Sequence, residues 1–259
     1  MATSKPQTIL FLGATGGCGF STLRRSITAG HTCIALCRTP SRLADKLPES
    51  QRNAPNLRIE KGNALDQSAV ARCLVNPTEP HNRLVDAVVF TIGGAFQLSK
   101  FAIDDPHVCE NAMKTLLSAL SDARKGAGGG VTAGGDPRIV AISSTGVSAH
   151  GRDFPLTVWP VYHFMLKEVH KDKRAMETLL VEGGEAFVIV RPSLLKDGGD
   201  EDEHKRPIRV GVEDLRAGKL ESKEVGLSIT REDVGRWIFE ETLSGDGGKW
   251  LGKVASVTY

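Results

Sequence analysis

The stretch "ILFLGATGGCGFSTL" (9–23) crowds four glycines, Gly13, Gly16, Gly17 and Gly19, between a short apolar run and a helix-like sequence. Glycine lacks a Cβ and tolerates positive φ, so such a turn brings bare backbone N–H groups close to whatever lies against them. Between a strand and a helix, that is the chemistry of a pyrophosphate cradle. Gly13 allows the tight turn off the strand, Gly16 lets amides approach the phosphates, and Gly19 lets the helix lie close to the sheet. The helix N-terminus adds orphan donors and partial positive charge. The spacing is GxxGxxG instead of GxGxxG, and its position between strand and helix is what makes it specific.

A second group follows the next apolar run. In "ALCRTPSRL", Arg38 comes directly after the run and Arg42 four residues later, with no carboxylate before Asp45. A site for a free ribose 2′-hydroxyl places Asp or Glu there. A guanidinium instead forks onto a 2′-phosphate, which a carboxylate would repel. These residues point to NADP(H) as the cofactor. Cys18, at the same helix start, is a candidate for a lowered thiol pKa, although a bound cofactor would cover it. The 5 cysteines are odd in number and lack CxxC spacing, and the 7 histidines form no HExxH. The reading is reduced thiols and no metal site.

The elements that must position these groups alternate along the chain. Apolar, β-branched runs occur at 8–13, 32–37, 56–62, 86–92, 138–144 and 186–192, and "GKVASVTY" supplies a last strand expected to close the sheet. Helical patterns lie between them at 21–29, 67–74, 105–123 and roughly 160–182. Strands apolar on both faces predict burial on both sides. The fold class is therefore α/β, a Rossmann-type doubly wound and mostly parallel sheet of about seven strands with helices on both faces. Right-handed crossovers gather the strand C-terminal ends on one edge, where ligands bind. The chain reads as one domain, 1–259, with about 196–228 as a small substrate-side insertion. Thr230 and Asp233 form a capping-box-like start for a helix within 228–243. The glycine-rich 125–137 reads as a surface loop and the charged 196–207 as either a solvated loop or a lid. A net charge of +2 gives no reason to expect nucleic acid as a partner. The chain has no apolar run of about 18–20 residues and no signal-peptide core. The expectation is a cytoplasmic protein with a small-molecule substrate and no membrane partner.

Several motifs in order resemble one family: "GATGGCG", "CRTPSRL", "KGNALD", "DAVVFTIGG", "RIVAISSTG", "HKDKRAMETLL", "VIVRPSLL" and "SITREDVG". Together they are similar to the atypical short-chain dehydrogenase/reductases, in particular the biliverdin-IXβ reductase/flavin reductase branch and its NmrA-like relatives. The resemblance implies that residues Thr15, Gly16, Gly17, Cys18 and Gly19 surround the pyrophosphate and that Arg38 meets the 2′-phosphate. It puts Asn63 and Ala64 beside the adenine, with Asn63 where the family usually has Asp. Thr91, Ile92 and Gly93 would line the ribose, Ser143, Ser144 and Thr145 would sit beside the nicotinamide, and Pro192 would offer backbone to its carboxamide. A monomer or weak homodimer is implied as well.

The departure lies at the catalytic helix. Typical members use YxxxK, which stacks a proton-donating Tyr one turn from a ribose-holding Lys. Aligning the family's Lys and the Glu four residues after it with Lys173 and Glu177 puts Val169 at the tyrosine position. Lys173 would hold the ribose and Ser144 would orient an acceptor carbonyl. His170, one turn before Lys173, is the candidate acid, with a solvated helix-face histidine as the plainer reading. His163 shares both readings. Trp159, Tyr162 and Phe164 are candidates for an aromatic wall or simply for core. Three functions follow: an NADPH-dependent reductase of a planar or conjugated substrate (flavin, quinone or aromatic natural-product intermediate), a redox-neutral NADP-bound cyclase or isomerase, or an NmrA-like redox sensor.

Overall fold

The computed structural model describes residues 5–75, 83–94, 96–97, 102–125, 136–158, 160, 166–198, 206–244 and 247–259. In chain order the strands are β1 (Thr8–Leu12), β2 (Thr32–Cys37), β3 (Leu57–Lys61), β4 (Ala87–Phe90), β5 (Phe96–Gln97), β6 (Ala102–Ile103), β7 (Arg138–Ile142), β8 (Phe187–Pro192), β9 (Leu194–Lys196), β10 (Arg209–Asp214), β11 (Lys219–Ser222), β12 (Ser228–Thr230) and β13 (Lys253–Thr258). The helices are α1 (Gly17–Thr28), α2 (Pro40–Ala44), α3 (Glu49–Arg52), α4 (Gln67–Leu74), α5 (Val108–Lys125), α6 (Lys167–Glu182) and α7 (Arg231–Ile238).

Among the described residues, one sheet runs in the order β11-β10-β13-β8-β7-β4-β1-β2-β3. From β3 to β13 every neighbouring pair is parallel. Apart from the edge strand β3 (LRIEK), which is only half-buried, those strands are apolar runs of the sequence with both faces buried. Leu10, Ile34, Val88, Ile139 and Ile189 face a layer containing Val70 of α4, Met113 of α5 and Met176 of α6. Ile9, Cys33, Val89, Val140 and Val188 face the opposite layer with Leu23 of α1 and Trp237 of α7. Successive strand residues thus enter different cores, which is why their sequence is apolar without alternation.

The sheet has nine strands where about seven were expected. The extra two, β10 and β11, are antiparallel and come from the presumed insertion, so β13 is covered by β10 and does not close the sheet. Their sequence gives little sign of this because the inward positions of β10 are Gly211 and Glu213, not aliphatic residues. Glu213 is buried because Arg191 of β8 bonds it at 2.8 Å and Glu177 of α6 at 2.6 and 2.9 Å.

Helix starts shifted for definite reasons. α1 begins four residues before the expected Ser21, because Gly16 is extended and the glycines themselves form its first turn. α5 begins at Val108, not Asp105, and its cap comes from another element: the Asp172 carboxylate accepts from the N–H groups of Cys109 (2.9 Å) and Glu110 (2.8 Å). α6 is described from Lys167, and Trp159, Tyr162, His163 and Phe164 lie outside the described residues. Residues 126–135 and 199–205 lie outside them too. α7 starts as expected, with the Thr230 hydroxyl accepting from Asp233 N–H at 3.1 Å. No described helix is long and apolar enough to cross a membrane.

The order places β1 between β2 and β4, so the chain leaves this point toward both sides of the sheet. A crevice forms there at the strand C-terminal ends.

Candidate active site

The walls of that crevice are the segments following β1 and β4. Thr91 N–H donates to the Leu12 carbonyl at 2.8 Å, and its hydroxyl reaches the Leu12 and Gly13 carbonyls at 3.2 and 3.1 Å. Gly13 has φ +104°, and a Cβ on it would stand 2.6 Å from Thr91 Oγ1. A Cβ on Gly19 would meet the Gly13 carbonyl oxygen at 2.7 Å. Glycine is required at both positions, the first by backbone and crowding, the second by crowding alone. α1 then starts with no side-chain cap and no acidic residue in its first turn, so its leading N–H groups face the crevice uncompensated.

Two cavities meet along Gly16 and the 91–94 segment. One, of about 350 Å³, runs over the ends of β2 and β3 and is lined by Gly13, Thr15, Arg38, Asn63 and Ala64. The other, of about 260 Å³, runs toward β7 and α6 and is lined by Gly17, Cys18, Gly19, Ser143, Ser144 and Lys173. Ile92 and Gly93 border both. Cavities of this size at a switch point suit an elongated ligand with two ends.

Some expected residues lie elsewhere. Arg42, on α2, lines neither cavity, whereas Lys46 reaches the glycine turn, its Nζ donating to the Thr15 carbonyl at 2.8 Å. Pro192 also lines neither, and its carbonyl accepts Thr145 N–H at 3.1 Å. His170 is half-buried and not part of the lining, and burial lowers its pKa to about 4, with Arg174 adding to the effect. It is a neutral imidazole at pH 7, neither a solvated histidine nor an acid tuned near neutrality. Cys18 is a further correction: burial pushes its thiol up to about 12, outweighing the Arg231 charge that pulls it down. The remaining cysteines are buried and free as well.

On the inner wall, Lys173 is 6% exposed, and its Nζ donates to the carbonyls of Ile92 (2.9 Å) and Ile142 (2.8 Å) at the ends of β4 and β7. An ammonium has three N–H groups, so one remains to face the cavity. Asp172, not anticipated from sequence, ties the same turn of α6 to α5. Ser144 donates to the Thr145 carbonyl at 2.9 Å, whereas the buried Ser143 Oγ has no hydrogen-bond partner among the described residues and lines the cavity beside Lys173. Val169, one turn before Lys173, forms part of the same wall. A glycine turn that side chains at 13 and 19 would disrupt, an orphaned buried hydroxyl and an ammonium with one N–H to spare are what a dinucleotide would complete.

Known proteins agree with this geometry. Residues 13–243 match the family model described as NAD(P)H-binding. The chain is 39% identical to "Reductase pytE" of Aspergillus terreus, covering 100% of both chains. It is 34% identical to "Oxidase pynE" of Aspergillus niger, covering 98% of this chain and 99% of that one. Among solved structures, a short-chain dehydrogenase/reductase from Veillonella parvula in complex with NADP superposes with TM-score 0.71 at 14% identity, over 98% of this chain and 95% of that one. The anaerobilin reductase ChuY from Escherichia coli superposes with TM-score 0.62 at 20% identity, over 96% of each. Over residues 13–243 the chain belongs to the NAD(P)H-binding family, and along its whole length it is kin to a fungal reductase.

Proposed function

We propose that this protein is an NADPH-dependent reductase that passes hydride to a small planar or conjugated acceptor, a flavin, quinone or aromatic natural-product intermediate, without a catalytic tyrosine. The observation that carries this reading is Val169 on the cavity wall one turn before Lys173, where a YxxxK pair would present its phenol. A valine has no proton to give. An unactivated ketone reduced here would develop an alkoxide with no positioned acid. A conjugated acceptor delocalises the arriving electron pair and takes its proton from water.

The bound dinucleotide supplies the hydride. The chain supplies the rest: the first-turn amides of α1 bind the pyrophosphate, and Arg38 at the end of β2 binds the 2′-phosphate, the basis for NADPH over NADH. Lys173 holds the nicotinamide ribose with its remaining N–H. Ser143 takes the polarising role expected of Ser144, because its O–H donates to no described protein group whereas that of Ser144 is given to the Thr145 carbonyl. The name of the Aspergillus terreus relative supports reductase chemistry, the Aspergillus niger relative is named an oxidase, and the NADP complex of the Veillonella protein supports this cofactor.

The test is NADPH consumption against a panel of flavins and quinones. Turnover of at least one acceptor at several times the background rate is expected, and total inactivity would overturn the proposal. The missing phenol also fits a redox-neutral reaction on a cofactor scaffold. Product formation under NADP⁺ with no absorbance change at 340 nm (roughly the reduced nicotinamide band) would establish that second reading.

A further inference from the structure

α7 is packed onto α1 at a point kept clear of side chains: a Cβ on Gly235 would lie 2.7 Å from the Cys18 carbonyl oxygen. Ser21 donates its hydroxyl to the Glu232 carbonyl (2.9 Å), Thr22 to the Gly235 carbonyl (3.1 Å), and Arg25 pairs with Glu232 at 2.6 Å. This docking carries Arg231, the first residue of α7, to the first turn of α1. Its side chain passes over Gly17, where a Cβ would come within 3.1 Å of Arg231 Cδ, and it lines the cavity with Gly16 to Gly19.

The guanidinium therefore stands beside a helix N-terminus that has no acidic residue in its first turn. Opposite it is Asp197, with Nη1 to Oδ1 at 2.8 Å and the carboxylate side chain 93% exposed against 35% for Arg231. A pair so solvated is weak, since water screens both charges. Two positive features thus face one loosely held anion, and a pyrophosphate, with about two negative charges and multiple acceptors, matches them better. Asp197 follows β9, which pairs with β12 immediately before Arg231, and Leu195 of β9 lines the same cavity.

We propose that Arg231 is a pyrophosphate-binding residue that exchanges Asp197 for the dinucleotide's phosphates. The exchange ties cofactor binding to the 194–198 segment on the substrate side. The inference rests on the nicotinamide-cofactor reading of the cavity and adds a residue and a competing carboxylate to it.

The experiment titrates NADPH and adenosine 2′-monophosphate, which has no pyrophosphate, into wild type, Arg231→Ala, Arg231→Lys, Asp197→Asn and the Arg231→Ala/Asp197→Asn double variant, following binding by calorimetry. Arg231→Ala is expected to weaken NADPH by about 10-fold or more, as loss of a charge-assisted bond does, and to leave the monophosphate within twofold. Arg231→Lys is expected to recover part of the loss. Asp197→Asn, on an exposed side chain, is expected to tighten NADPH several-fold in the wild-type background and not in the Arg231→Ala background. A gain of affinity cannot come from misfolding. Unchanged NADPH affinity in both single variants would overturn the inference while leaving the cofactor reading intact. Equal weakening of both ligands by Arg231→Ala would overturn the pyrophosphate placement. Failure of the wild type to bind NADPH would remove the cofactor reading and this inference together.

Discussion

His170 and Arg38 are both ionisable residues in a helix or loop near the crevice, and their surroundings give them opposite fates. Burial holds the His170 pKa at about 4, against an unfolded value of about 6.5. Between those values the unfolded chain binds the proton and the folded chain does not, so the contribution of His170 to stability is present above pH 6.5 and is lost as pH falls toward 4. His170→Gln should flatten that part of a pH–stability curve measured by urea unfolding. It should leave kcat at pH 7 within about twofold, since a neutral imidazole off the cavity wall donates no catalytic proton. Arg38 is exposed at the end of β2 and lines the cavity that runs over the ends of β2 and β3. Arg38→Ala should raise the Kd for NADPH by about 10- to 100-fold and change that for NADH by less than about threefold, the expected effect of losing a charge-assisted fork to one phosphate. Equal loss for both dinucleotides would assign Arg38 a structural role.

Among the elements, α5 and α6 depend on each other. Asp172 projects from α6 and satisfies two leading amides of α5, while the next residue, Lys173, reaches the ends of β4 and β7. One turn of helix therefore both caps a neighbour and sets the ammonium against the cavity. Asp172→Asn keeps the size but weakens the acceptor, and should cost about 1–2 kcal/mol in urea-measured stability, as cap losses do. Because the same turn carries Lys173, the KM for NADPH should rise as well. A stability loss with unchanged KM would mean that Lys173 is positioned by its two carbonyl partners alone.

At the scale of the whole molecule, the sheet is completed by a buried ionic group. Arg191 is 2% exposed and bonds both Glu177 and Glu213, joining β8, α6 and β10. Ser148, in the loop after β7, donates to the second oxygen of Glu213. Burial disfavours the Arg191 charge, and the two carboxylates more than reverse that, raising its pKa. Arg191→Met would leave two carboxylates buried without a partner and should destabilise the fold by about 3–5 kcal/mol in denaturant unfolding. A loss below about 1 kcal/mol would mean that water reaches the carboxylates. Tyr259, after β13, also links distant parts, with its phenol bonded to Asp233 of α7. The β10–β11 extension therefore belongs to the same structure that holds α6 and α7 in place.

The parallel strands, the glycine turn and Arg38 are legible in the residues alone because each rests on a local requirement: apolar faces on both sides, a missing Cβ, a charge directly after a strand. Lys173 was reached through family resemblance, and its two carbonyl partners came only with the fold. Contacts between distant segments decided the rest. Asp172 looks like one more charge on a polar helix until it meets the start of α5. Glu213 argues against a buried strand until Arg191 is opposite it. Arg231 reads as an ordinary first-turn residue until α7 is laid across α1. The sequence of one segment records what that segment requires, but the partner that satisfies a buried charge or an orphan amide is chosen by packing between segments far apart in the chain, 22 residues for Arg191 and Glu213 and 63 for Cys109 and Asp172.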